Sequence, residues 1–212
     1  MADEATKFGL MRHARTAWNR DNRIQGQIDS DLTAAGEAAA RSWGTILKDR
    51  SWDRILVSDL GRARRTADLV NVALGLPVTP EPRLREMDWG QWSGKTVREI
   101  RDRFPDLLEG QEVKGWDFRP PGGESRADQF RRCRAALAAA SRKWPGKTLL
   151  VVAHGGVIKS LIYRALDRAF LPSEPEVIEP YHLHWFSVKN DDLRLDRLNA
   201  LALRHGPEEV GS

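Results

Sequence analysis

The chain has 212 residues, with 34 basic and 30 acidic side chains and a net charge of +4. That length suits one sizeable domain or two small ones with a real core. The mild, scattered positive charge suits a small anionic ligand and gives no case for nucleic acid, and no apolar run approaches the ~20 residues of a membrane span.

In chain order, Lys7–Met11 reads as a first strand. Thr33 is a fitting N-cap for a helix over Ala34–Leu47. Arg54–Val57 (RILV) reads as a short buried strand, and Gly61–Leu74 as a helix stopped by Gly75 and Pro77. Glu124-Ser125 opens a helix that runs to about Lys143, with Ser125 and Asp128 spaced as a capping box and Pro145-Gly146 as the break. Thr148–Ala153 (TLLVVA) is the most apolar strand, Val157–Leu166 is helical, and Leu183–Val188 with Leu193–Leu198 forms a hairpin around Asn190-Asp191-Asp192. Strands alternating with helices predict an α/β fold: a three-layer α/β/α sandwich around a mainly parallel sheet. Residues 1–212 read as a single domain with a loop or lid excursion at about 104–123, which is too long for an ordinary connection. Cys133, the one cysteine, has no partner for a disulfide. The polar start MADEATK has no signal-peptide pattern, so the expected compartment is the cytoplasm.

Three strand ends carry polar residues: Arg12-His13, Ser58-Asp59 with Arg62 just beyond, and His154-Gly155-Gly156. Ligands collect beyond the carboxyl ends of strands in open α/β sheets, so these groups are expected to converge. Guanidinium forks match phosphate oxygens. A neutral, oriented imidazole can attack phosphorus, and a second histidine can donate to the oxygens that gain charge. Glu86, in LREMDWGQWSG, is the leading candidate for the acid that protonates the leaving oxygen, with Asp88 as its neighbour and competitor.

These residues carry a resemblance. RHARTAWN (12–19), IQGQIDSDLTAAG (24–36), SDLGRARRTA (58–67), LREMDWGQWSG (84–94), PGGES (121–125) and VVAHGGVI (151–158) occur in the order found in the histidine phosphatase superfamily, the phosphoglycerate mutase-like family. The resemblance implies that His13 is the nucleophile that becomes phosphohistidine. It implies that Arg12, Arg62 and His154 form the phosphate pocket and that Glu86 is the proton donor. Asn19 would contact the phosphate, Gln25 and Gly26 would form the pocket rim, and Glu124 would be a polar position near the site. Gly155 would let backbone approach the ligand. Glu124 also reads simply as an acid favoured by the first turn of its helix.

The family needs no metal and no organic cofactor, so none is expected. The resemblance implies a phosphomonoesterase acting on a small phosphorylated substrate. A phosphoglycerate mutase, or a phospho-ligand binding domain without catalysis, are the alternatives, and association into a homo-oligomer stays open. Three departures stand out. Ala14 replaces the usual glycine, and an ordinary backbone is expected there. Arg15 adds a cation near the mouth. Tyr181-His182-Leu183-His184-Trp185 replaces a small polar run and is expected, with Phe104–Gly123, to shape substrate choice. His182 and His184 have the i, i+2 spacing of a zinc pair but no further ligand cluster. Trp89, Trp92 and Trp116 are expected to pack.

Overall fold

After Thr148, TLLVVA is apolar at every position because both of its faces are buried. In the computed structural model, which describes residues 4–203, this strand lies at the middle of a six-stranded sheet. The first three residues of MADEATK, and the ends of the expected 1–212 domain, lie outside the described residues. The strands are β1 (Thr6–Arg12), β2 (Arg54–Val57), β3 (Val78–Pro80), β4 (Thr148–Ala153), β5 (His182–Lys189) and β6 (Asp192–Ala202). Their order is β3-β2-β4-β1-β5-β6. The first four are mutually parallel; β5 runs antiparallel to both β1 and β6.

The longer helices are α2 (Ala34–Leu47), α3 (Gly61–Leu74), α6 (Arg126–Lys143) and α7 (Gly155–Ala165); the short ones are α1 (Ala17–Arg20), α4 (Val97–Arg103) and α5 (Pro105–Glu112). Alternate strand residues divide between two cores. Leu149, Val151 and Ala153 pack with Leu137 of α6 and Leu161 of α7, whereas Leu150 and Val152 pack with Trp43 of α2 and Val70 of α3. Two helical layers therefore cover one sheet, the expected α/β/α sandwich.

Caps fix where these helices begin. Thr33 Oγ1 accepts the Gly36 N–H at 3.0 Å, and Ser125 with Asp128 forms the expected capping box. α7 starts two residues earlier than expected, directly after His154, so its first turn belongs to the strand end. The β5–β6 turn places Asn190 at φ 52° and Asp191 at φ 61°, the left-handed pair that a two-residue hairpin needs.

Residues 104–123 are partly helical, containing α5 and a 3-10 turn at Gly115–Asp117. Leu108 and Phe118 pack with Met87, Trp92 and Ile100 in a third small core, and Trp89 borders it. Trp116 packs instead against Phe130 and Phe170. These tryptophans are packing residues, as expected.

The parallel strands end level with one another. Arg12 is opposite Ala153 and Val57 is opposite Val152. His13 N–H donates to Ala153 O at 2.8 Å, and Ser58 N–H to Val152 O at 3.0 Å. That register carries His13, Ser58 and His154 to one edge of the sheet.

Candidate active site

His13 is 6% exposed, one residue beyond β1. Its Nδ1 lies 2.8 Å from Ala14 O, which can only accept, so Nδ1 carries the proton. Nε2 is then the lone-pair nitrogen, and Arg62 Nε donates to it at 3.3 Å. Burial pushes the His13 pKa well below 6.5; the cations Arg12 and Arg62 add to this, and the Ala14 carbonyl opposes it. The ring is thus neutral with a defined nucleophilic nitrogen. Ala14 is outside the left-handed region, and its N–H donates to Thr66 Oγ1 at 3.0 Å. The backbone is ordinary, as expected, and glycine is not required.

Arg62, in the first turn of α3, is 2% exposed and fully engaged. It donates to Gly26 O at 2.7 Å, Ile28 O at 3.0 Å and Asp29 Oδ1 at 2.9 Å. Asp29 also accepts the Gly61 N–H at 2.7 Å, so one carboxylate holds both the guanidinium and the helix start. Gly26 has φ +54°, and a Cβ there would stand 2.9 Å from Ser93 Oγ. Glycine suits this left-handed turn, which brings the Gly26 carbonyl to Arg62.

His154 is fully buried, and its ring centroid lies 5.1 Å from that of His13. Burial drives its pKa well below 6.5, with His13, Arg62, Arg12 and Arg132 acting in the same direction. Its Nε2 lies 2.8 Å from Ser58 Oγ, which also takes the Leu60 N–H at 3.4 Å. Ser58 Oγ already accepts from Leu60, and among the described residues its own proton has no acceptor but Nε2, which leaves the His154 proton on Nδ1. That buried nitrogen has no partner among the described residues, so it is a donor free to meet an acceptor.

Glu86 is half-buried against the first turn of α7. It accepts from Gly156 N at 3.0 Å, Met87 N at 2.8 Å and Gln129 Nε2 at 2.9 Å. Arg132 donates to Glu86 O at 3.1 Å and pairs with Glu124. Glu124 also accepts the Asp88 N–H at 3.1 Å. It therefore braces the Glu86 segment through Arg132. Asp88, the competing acid, accepts its own loop's Gly90 N–H at 2.8 Å.

Beside His13 opens a cleft of about 610 Å³. Arg12, Asn19 and Gly155 line it together with His13; Arg62, His154, Glu86, Gln25 and Gly26 do not. Arg12 is exposed, and its Nε packs 3.4 Å from where a Gly155 Cβ would stand. Asn19 Oδ1 caps α1 by accepting the Thr16 N–H at 3.2 Å. Gln25 is buried with Oε1 unpartnered. Of the scattered basic residues, Arg15 and Arg23 border the cleft, whereas Arg20 pairs with Asp21 and Arg119 with Asp128. The far wall comes from residues 176–184 and α7, and none of 104–123 lines the cleft. Among the described residues, no group of three His, Cys, Asp or Glu is placed to hold a metal ion, and no helix is long and apolar enough to cross a membrane.

Sequence reasoning gave no role to Ser58, Asp29, Gln129 or Arg132. Ser58 was visible at a strand end and Asp29 within IQGQIDSDL; Gln129 and Arg132 lie in an ordinary helical pattern, and only packing aims them at Glu86.

The chain is 36% identical over 157 residues to an uncharacterized phosphatase, PhoE, of Bacillus subtilis (strain 168), covering 74% of this chain and 76% of that one. It is 40% identical over 157 residues to the probable phosphoglycerate mutase GpmB of Salmonella choleraesuis (strain SC-B67), covering 72% and 71%. The solved structure of Bacillus stearothermophilus YhfR superposes with a TM-score of 0.84 at 30% identity, over 93% of this chain and 98% of that one. The family model for the histidine phosphatase superfamily (branch 1) matches residues 8–201, and the chain belongs to that family.

Proposed function

We propose that the protein is a metal-independent phosphomonoesterase that hydrolyses small phosphorylated metabolites through a phosphohistidine on His13. The observation that carries this reading is the neutral His13 ring, with its proton on Nδ1 and its Nε2 lone pair among cations.

In the first step Nε2 attacks phosphorus and the ester P–O bond breaks. Glu86 gives its proton to the departing alkoxide. Arg62 Nε turns from Nε2 to a phosphoryl oxygen as the new P–N bond forms. Arg12, free of any protein partner among the described residues, and the unpaired His154 Nδ1–H take the other oxygens. In the second step Glu86 accepts a proton from water. That water attacks phosphorus, the P–N bond breaks, and inorganic phosphate leaves. The charge gained by the oxygens is met by fixed donors, so no metal is needed for it.

Phosphate release from p-nitrophenyl phosphate in EDTA tests this, with wild type beside His13→Ala. Turnover by the wild type and its loss in the variant are expected. Activity that survives His13→Ala, or that EDTA abolishes, would overturn the reading. Interconversion of 2- and 3-phosphoglycerate without phosphate release would replace hydrolysis by transfer.

A further inference from the structure

One wall of the cleft has no part in the chemistry at His13. β5 pairs antiparallel with β1, with Leu10 opposite His184. Leu10 and Arg12 share a face of the sheet, so Arg12 and His184 are diagonal neighbours with Cα atoms about 7–8 Å apart. His184 is 1% exposed, yet it borders the same cleft as Arg12 and His13. The Asn199 N–H donates to its Nδ1 at 3.2 Å. Burial lowers its pKa to about 4, with His182 adding to the effect, so the ring is neutral and its one proton is on Nε2. That Nε2–H has no partner among the described residues. The nitrogen is not among the side-chain atoms sealed from solvent without a partner, so it opens on the cleft, where an acceptor on a bound molecule can take its hydrogen bond.

The surroundings fix the ring and specify the acceptor. Asn199 stands at φ +46°, beside the slip in β5–β6 register around Trp185. Its side chain donates to Val177 O at 2.9 Å and accepts the Glu179 N–H at 3.1 Å. One residue thus holds both the His184 tautomer and the wall next to it. The acids of that wall already have partners: Glu176 pairs with Lys159 at 2.6 Å, and Glu179 lies 3.3 Å from His182 Nε2. His184 Nε2–H is a neutral donor open on this side of the cleft that Arg12 and His13 also line.

We propose that His184 is a specificity-determining residue whose Nε2–H donates to an uncharged oxygen of the leaving group, so that the favoured substrates are phosphomonoesters of polyols or sugars rather than of plain alcohols. This rests on the phosphomonoesterase reading above.

Isopropyl phosphate and glycerol 2-phosphate share a carbon skeleton and differ by two hydroxyl groups. We would measure kcat/KM for both with wild type, His184→Leu and His184→Gln, each checked for folding by thermal melting. His184→Leu should reduce the preference for glycerol 2-phosphate about 10-fold. His184→Gln, whose amide N–H reaches the place of Nε2, should restore most of it. An unchanged preference in His184→Leu overturns the proposal and leaves hydrolysis standing. A wild type that releases phosphate from neither ester, nor from p-nitrophenyl phosphate, overturns the phosphomonoesterase reading instead. A readout on the wild type stands beside the variants. Vanadate with glycerol should shift the His184 Nε2–H resonance relative to vanadate with 2-propanol; identical resonances would also overturn the proposal.

Discussion

Replacing Gly156 with alanine puts a methyl group where the Glu86 carboxylate lies. The new Cβ would be in hard contact with Glu86 Oε1, 3.1 Å from its Cδ and 3.2 Å from Gln129 Nε2. Gly156 is the second residue of α7 and has no left-handed backbone, so alanine suits the helix and gains at most about 1 kcal/mol. What must move is the end of a flexible side chain, which then loses its bonds to Gly156 N at 3.0 Å and Gln129 at 2.9 Å. At about 1 kcal/mol each, the net loss is about 1 kcal/mol, a fall in Tm of about 2–4 °C.

Catalysis should respond far more, because a displaced acid gives up much of a contribution of about 10²–10⁴. The loss depends on the leaving group: p-nitrophenolate departs without a proton, whereas an alkoxide does not. Gly156→Ala should therefore cost about 100-fold in kcat/KM on glycerol 2-phosphate and less than about 10-fold on p-nitrophenyl phosphate. Glu86→Gln should show the same split. Equal losses on the two esters in a folded Gly156→Ala protein would refute the assignment of Glu86 as the acid.

Asp29→Asn removes the charge that pairs with Arg62 at 2.9 Å, so vanadate should bind about 10-fold more weakly, measured by inhibition; unchanged inhibition would show that Arg62 is positioned without it. Stability should fall with acid before the carboxylates titrate. His13, His154 and His184 are held neutral in the fold, so below pH 6.5 the unfolded chain binds more protons than the folded one. Stability is complete above that pH and is lost as pH falls. For His184, shifted from 6.5 to about 4, the loss at pH 5 is about 2 kcal/mol, and a urea midpoint that stays flat from pH 7 to pH 5 would contradict it. The Cys133 thiol is fully buried, with its pKa pushed up to about 12, so a disulfide reagent should label it only after denaturation.

The main elements and the family's motif blocks were legible because their signals are local. RILV and TLLVVA match β2 and β4 residue for residue, and the helices over Ala34–Leu47 and Gly61–Leu74 match α2 and α3, since their caps and stops lie within the segments. The short elements were not legible. β3 is three residues ending in a proline, and α1 is a single turn held by Thr16 and Asn19. A periodicity cannot be read over so few positions. α4 had a readable capping box in Thr96 and Glu99 that the aromatic-rich surroundings obscured.

By itself, then, the sequence determined which groups stand at the strand ends and in what order. It raised Ala14 as a question, which the structure answers: the backbone there is outside the left-handed region, so alanine is acceptable. The tertiary structure alone decided how those groups face one another. The tautomer of His13 depends on a carbonyl and a guanidinium brought to its two nitrogens, and the partnerless Nδ1 of His154 depends on Ser58 from another strand. Glu124 is tied to the Glu86 segment because Arg132 reaches it from α6. The cleft's outer wall is residues 176–184 because β5 adds antiparallel to β1, a pairing made across more than 170 positions of chain, from Leu10 to His184. Hydrogen bonds over such separations follow from the packing of whole layers, and no local pattern encodes them.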